Sequence, residues 1–216
     1  MGDTRPFTIR PARESDADFL GWVILEAARG HLSRGWFDVV LQRDEAFLLA
    51  FCAKLVAAKA RSWWHWSLFT IAEADGVAAS ALCGFGDESV YGASSAAMAE
   101  AAAALGVSDA ELAQYWPRGS FILSCTTSEH DAWTVENVAT LPRYRGRGLV
   151  QALLQHEFQR ARSSGYTRAQ ISFLIGNEAA ERAYRRAGFV FAEEKMAPEF
   201  EAAMGAPGLR RLVKEI

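Results

Sequence analysis

Cysteine, surplus positive charge and long apolar runs are all scarce in this chain of 216 residues. Its 3 cysteines, Cys52, Cys83 and Cys125, are widely spaced and show no metal-ligand pattern. That spacing argues against a disulfide scaffold or a zinc site, and the expectation is free buried thiols in a reducing cytoplasm, with no metal. A formal net charge of −3 argues against a general nucleic-acid surface, which favours a strongly basic domain, and leaves only the arginines of residues 143–168 as an alternative route to RNA. No stretch approaches the ~20 apolar residues of a membrane span. Residues 1–10 lack the apolar centre of a signal peptide, and Pro6 breaks a myristoylation pattern, so no membrane partner is expected. Internal repeats and long linkers are absent too, and one domain over residues 1–216 is the natural reading.

What is present is a mixture of strand and helix signals. Residues 6–11 alternate as a first strand, and Ser15 is placed to cap a helix that ends near Arg29-Gly30. After a loop at 31–38, a helix is predicted over 44–61, with Phe47, Leu48, Phe51, Leu55 and Val56 on one stripe. Apolar runs at 67–73 and 77–84 flank Asp75-Gly76, a strong hairpin signal. A helical insert follows around 94–116. Ser94 or Ser95 opens its first helix, Gly106 closes it, and Ser108-x-x-Glu111 is a capping box for the next. Residues 121–125 and 133–140 read as an antiparallel pair across a turn at 126–131. A helix over 148–163, a strand over 169–174 and closing strands at 189–195 and 209–214 complete an α+β chain.

The chemistry concentrates between residues 133 and 189. Arg143-Tyr144-Arg145-Gly146-Arg147-Gly148 lies between a strand and a helix. Such a turn offers consecutive backbone N–H groups, two glycines that let an anion approach, and a helix N-terminus behind them. Its arginines add charge suited to phosphate oxygens. The phosphate loop of nucleoside triphosphatases is absent. A dinucleotide fold would need glycine where Gln151 stands and an acid near Arg168. Downstream, Asn177-x-x-Ala180-x-x-x-Tyr184-x-x-x-Gly188-Phe189 reads as a short helix with an N-cap and a terminal glycine. Asn177 and Tyr184, seven residues apart, share nearly one face.

Arg-x-x-Gly-x-Gly after a strand, followed by this second motif, resembles the GNAT superfamily of N-acyltransferases over residues 133–192. The resemblance implies a mixed, mostly antiparallel central sheet flanked by helices, with the 94–116 insert as a departure that either covers the acceptor side or merely packs. It implies direct transfer of an acetyl group from acetyl-coenzyme A to a primary amine, with no covalent enzyme intermediate. Val138 and Ala139 would lie beside the pantetheine arm. Arg143, Arg145, Gly146, Arg147, Gly148 and Leu149 would receive the pyrophosphate, and Asn177 and Tyr184 would border the same ligand. Tyr184 would hand a proton to the departing sulfur, or else pack in the core. Glu136 would accept the amine's proton through a water, or else sit on a solvent face; His130 reads as an exposed turn residue. Trp63, Trp64 and Trp66 either wall the acceptor pocket or fill the core. The implied partners are an amine, small molecule or protein, and a second copy of the chain as a homodimer. The reading from another class is a non-catalytic acyl-coenzyme A sensor or scaffold.

Overall fold

The structure, a computed structural model, describes residues 7–216; Pro6 and the features read in residues 1–6 lie outside the described residues. The sheet grows from the Asp75-Gly76 turn. Both residues hold positive φ, 54° and 73°, which suits a tight hairpin. The turn joins β2 (Phe69–Ala74) to β3 (Val77–Phe85), and β1 (Phe7–Pro11) pairs with β2 on the outer side. β4 (Trp133–Thr140), β5 (Arg168–Leu174), β6 (Val190–Met196) and β7 (Gly208–Glu215) complete a seven-stranded sheet in the order β1-β2-β3-β4-β5-β7-β6. Every pairing is antiparallel except β4 with β5, which run parallel. The mixed, mostly antiparallel sheet expected from the sequence is therefore the one observed.

Helices cover both faces. α1 (Ala17–Arg29), α2 (Trp36–Leu41) and α3 (Glu45–Val56) precede β2. α4 (Ser89–Gly92), α5 (Ser94–Ala104) and α6 (Asp109–Gly119) form the insert between β3 and β4. α7 (Leu149–Ser163), α8 (Glu178–Arg186) and α9 (Pro198–Met204) belong to the second half. The period-2 rule sorts the faces: Ile71, Ala81 and Cys83 meet Leu20, Ile24 and Phe51 on one side, while Ala72 and Leu82 meet Leu153, Leu154 and Phe158 on the other.

A carboxylate lies under that second face. Glu157 on α7 is fully buried and accepts hydrogen bonds from Thr70 Oγ1 (2.6 Å), Trp133 Nε1 (3.2 Å) and Arg160 Nη1 (2.7 Å). Burial alone would raise its pKa. The His156 ring, 3.8 Å away and too far for a good hydrogen bond, together with Arg160 and Thr70, more than offsets that and holds the group below the ordinary carboxylate range. A depressed pKa contributes stability above about pH 4.5 that is lost as pH falls through the folded value. Glu157→Leu is expected to lower stability by roughly 3–5 kcal/mol, because it strands the Thr70 and Trp133 donors. The midpoint of urea unfolding measures it, and a change under 1 kcal/mol would show the network to be dispensable.

Four expectations are corrected by the structure. Residues 121–125 are not a strand: Ser120–Ser124 is a 3-10 turn, and β4 pairs with β3 instead. Ser124 and Thr126 donate their hydroxyls to the carbonyls of Phe121 and Ile122, so local side-chain hydrogen bonds hold the turn. Phe121 spends its hydrophobicity edge-on against Phe200 of α9. The third helix stops at Val56 rather than Arg61, because the Glu100 carboxylate from the insert takes the amides of Lys59 (2.6 Å) and Ala60 (3.0 Å). The loop at 31–38 gives way to α2, whose entry is tied by the Asp38 carboxylate accepting from the Gly35 amide at 2.7 Å. Ser15 caps nothing. It sits inside a one-turn 3-10 segment, and Asp16, bound to Arg10 and to the Arg13 amide, occupies the cap position of α1.

Candidate active site

The site begins where two strands part. β4 and β5 share three residue pairs, Trp133 with Ala169, Thr134 with Gln170 and Val135 with Ile171, and then diverge. Gln170 fastens this last shared stretch by donating to Thr134 Oγ1 at 3.0 Å and to the Glu129 carbonyl at 2.9 Å. On its other edge β4 bulges against β3 between Ala81 and Cys83, opposite Asn137, which adopts φ 51°. A bulge adds a residue, bends the strand and re-aims its side chains. The β5-facing backbone groups beyond Val135 have no ladder partner among the described residues, and they open onto a cavity lined by Glu136, Asn137, Val138, Ala139 and Thr140.

At the far end of β4 the chain enters the glycine turn. Gly146 and Gly148 hold φ of 78° and 80°, the left-handed region that other residues enter at a cost, and a Cβ on either would meet nothing within 4 Å. The turn is thus a clear approach to main-chain amides at the N-terminus of α7, a geometry that favours anions. The three arginines part company. Arg145 lines the cavity and its Nε donates to the Thr140 carbonyl at 3.2 Å. Arg143 and Arg147 lie over the Tyr144 ring, 4.9 and 5.2 Å from its centroid, and Arg147 also pairs with Asp75 at 3.3 Å. Neither of these two reaches the cavity wall in this conformation. Gly146, Gly148 and Leu149 do.

Asn177 caps α8 by accepting from the Ala180 amide at 3.1 Å, and its residue also lines the cavity. Two helical turns on, Tyr184 is 6% exposed and packs edge-on against Phe173 and Phe189, at 5.6 and 6.3 Å between centroids. Its hydroxyl makes no hydrogen bond to another described residue, and burial, then the nearby Glu136 charge, push its phenol well above the ordinary value. Glu136 faces the same space without a hydrogen-bond partner. Desolvation alone pushes its carboxyl up to about 8. It is only half-buried as a residue because the cavity borders it, yet the carboxyl is enclosed by protein rather than on an outer solvent face. His130 is exposed and holds Glu88 Oε2 at 2.7 Å; that contact raises its pKa and leaves the imidazole off the cavity wall.

These pieces border one cavity of about 1550 Å³. Pockets for one drug-sized ligand run to ~1,000 Å³, so this cavity, with Glu136 and Tyr184 both on its wall, has room for more than one such ligand. Tyr91 was not singled out from the sequence. It too lines the cavity, and its phenol is raised by burial and then by Glu136. It sits on a four-residue helix inside an alanine-rich insert, where no periodicity marks it. Gln170 carried a fainter signal, a polar side chain inside an apolar strand. Among the described residues no group of three or more histidines, cysteines and carboxylates is placed to hold a metal ion. No helix among them is long and apolar enough to cross a membrane.

The sequence profile of the Acetyltransferase (GNAT) family matches residues 41–189 of this chain. No curated protein sequence matches it. Among solved structures, it is similar to the crystal structure of an acetyltransferase, with TM-score 0.71 and 17% identity over 97% of this chain and 99% of the other. An N-acetyltransferase from Staphylococcus aureus Mu50 superposes with TM-score 0.70 and 17% identity, covering 96% and 100% of the two chains. A further similarity is to yncA, a putative acetyltransferase from Salmonella typhimurium solved with its cofactor acetyl-CoA, at TM-score 0.52 and 15% identity over 97% and 93%.

Proposed function

Because the chain belongs to the GNAT acetyltransferase family, we propose that it moves the acetyl group of acetyl-coenzyme A directly to a primary amine. The observation that carries this reading is one cavity joining the glycine turn, the unpaired edge of β4, Glu136 and Tyr184. The amides of the turn, with Arg145 beside them, would hold the pyrophosphate of the cofactor. Main-chain groups at Val138 and Ala139 would hydrogen-bond its amide-bearing arm as a neighbouring strand would. The amine nitrogen then attacks the thioester carbonyl carbon. A C–N bond forms, the C–S bond breaks, and the sulfur leaves as a thiolate.

Two protons must move, and burial has prepared a group for each. An amine of pKa ~10.4 is almost wholly protonated at neutral pH, and handing its proton to an ordinary carboxylate is uphill by about six pKa units, or roughly 8 kcal/mol. With Glu136 at about 8 the gap falls to between two and three units, roughly 3 kcal/mol. Tyr184, held protonated by burial, is a donor for the departing thiolate. Since a thiolate of pKa ~8.5 is already a tolerable leaving group, Tyr184→Phe is expected to lower kcat about 10²-fold. The Kd for acetyl-coenzyme A should barely change. Steady-state kinetics with isothermal titration would check it; kcat within twofold of wild type would make Tyr184 a packing residue.

The test of the reading as a whole is thiol release from acetyl-coenzyme A, with and without amines, beside a thermal-shift measurement of cofactor binding. Amine-dependent thiol release with a matching N-acetylated product supports it. Binding without release under any amine would leave a coenzyme-binding protein, and no binding would remove the reading.

A further inference from the structure

Part of the cavity wall is built of aromatic rings in mutual contact. Phe37 lies 5.8 Å from Trp64, Trp64 is 4.7 Å from Trp63, and Trp63 is 5.7 Å from Tyr91, centroid to centroid. All four border the cavity, and Trp116 of the insert, 62% exposed, borders it as well. A continuous aromatic wall presents flat apolar surface and ring faces that attract cations. It offers few of the hydrogen-bonding groups that a polyhydroxylated ligand would need.

Charge narrows the choice further. The carboxylates on the cavity wall are Glu26, Glu88 and Glu136; its arginines, Arg145 and Arg186, belong to the glycine turn and to α8. No arginine or lysine stands among the aromatic rings to receive a ligand carboxylate. Three residues on the cavity wall carry a buried polar atom without a partner: Glu88 Oε1, Asn137 Nδ2, and Nε1 of Trp64, a residue only 5% exposed. Buried polar atoms are seldom left unpaired in a finished site. Glu88 Oε1 is an acceptor and the two nitrogens are donors, but each is closed off from the cavity surface, so the aromatic rings and the charges on the wall decide the ligand.

We infer that the amine substrate is an arylalkylamine: a primary amine on a short chain carrying a flat aromatic ring, and bearing no carboxylate. The inference rests on the acetyl-transfer reading and names its second substrate. The ring would lie against Trp63 and Trp64 under Trp116, with the nitrogen directed to Glu136.

The experiment is acetylation of a panel at fixed acetyl-coenzyme A. It compares 2-phenylethylamine, tyramine and tryptamine with phenylalanine, tyrosine and tryptophan, which add only the carboxylate, and with spermidine, kanamycin and a lysine peptide. The expected result is kcat/KM at least 10²-fold higher for arylalkylamines than for their amino-acid counterparts, spermidine, kanamycin or the peptide, since each unmatched buried charge is costly. Trp116→Ala changes an exposed side chain, so the fold should survive. It should raise KM for tryptamine about tenfold and leave KM for acetyl-coenzyme A unchanged. Preferential turnover of spermidine, kanamycin, the peptide or an amino acid would overturn the inference while acetyl transfer stands. Turnover of no amine would overturn both.

Discussion

Replacing Glu136 by glutamine should cost 10²–10⁴-fold in kcat/KM at pH 7 and at the same time make the protein more stable in mild alkali. The two effects share one cause. Glu136 is raised to about 8 by desolvation, so in the proposed mechanism the wild-type rate should climb through that pH as the carboxyl ionises and becomes able to take a proton. Glutamine cannot ionise. The variant's rate should lack that inflection and rise only towards the amine's own pKa of ~10.4. For stability, the sign is set by the unfolded chain, where the carboxyl ionises near 4.5. Between 4.5 and about 8 the folded state binds more protons, so wild-type stability declines as pH rises. Glutamine removes that decline, by roughly 1–3 kcal/mol at pH 8 once water in the open cavity is allowed for. pH–rate profiles and urea midpoints at pH 6 and pH 8 measure both. A loss that is the same at every pH, or none, would take the proton-transfer role away from Glu136.

The second large effect belongs to the glycine turn. Acetyl-coenzyme A at ~100 times its Kd adds ~2.7 kcal/mol to stability, which for a chain of this size is a Tm rise of roughly 5–10 °C. Gly148→Asp should abolish that rise. Space is not the obstacle, because a Cβ at Gly148 meets nothing within 4 Å. The left-handed backbone costs an aspartate about 1 kcal/mol, and a carboxylate at a helix N-cap returns part of it. The apo protein should therefore stay folded, with a Tm within a few degrees of wild type. What changes is the charge met by the incoming pyrophosphate. An undiminished Tm rise in this variant would place the cofactor elsewhere.

How far the sequence foretold this arrangement depended on whether the signal was local. Asn177, Gly148 and Gly188 announced their turns and caps because a cap or a positive φ is satisfied within a few residues, and each stands where it was read. Residues 121–125 misled because a short apolar run packs as well from a 3-10 turn as from a strand. α3 ended early through Glu100, some forty residues away, which no window on residues 44–61 contains. Glu136 shows the limit most clearly. Alternation along a strand separates two faces but cannot say that one of them borders an internal cavity, so the same residue read equally well as a surface carboxylate or a base. Tyr91 was hidden for the same reason, being on a single helical turn whose meaning lies in what stands across from it.

The parting of β4 from β5 has a consequence for how this protein can change over time. A ligand that fills the place of a missing strand is recognised through N–H and C=O groups, which every residue except proline supplies in full. With the cofactor seated there as proposed, side chains along that stretch of β4 other than Glu136 would be free to vary without erasing its seat, whereas each aromatic of the cavity wall would be an individual commitment to one partner. Inheritance would hold the donor constant in backbone geometry and leave the recipient to be rewritten one side chain at a time.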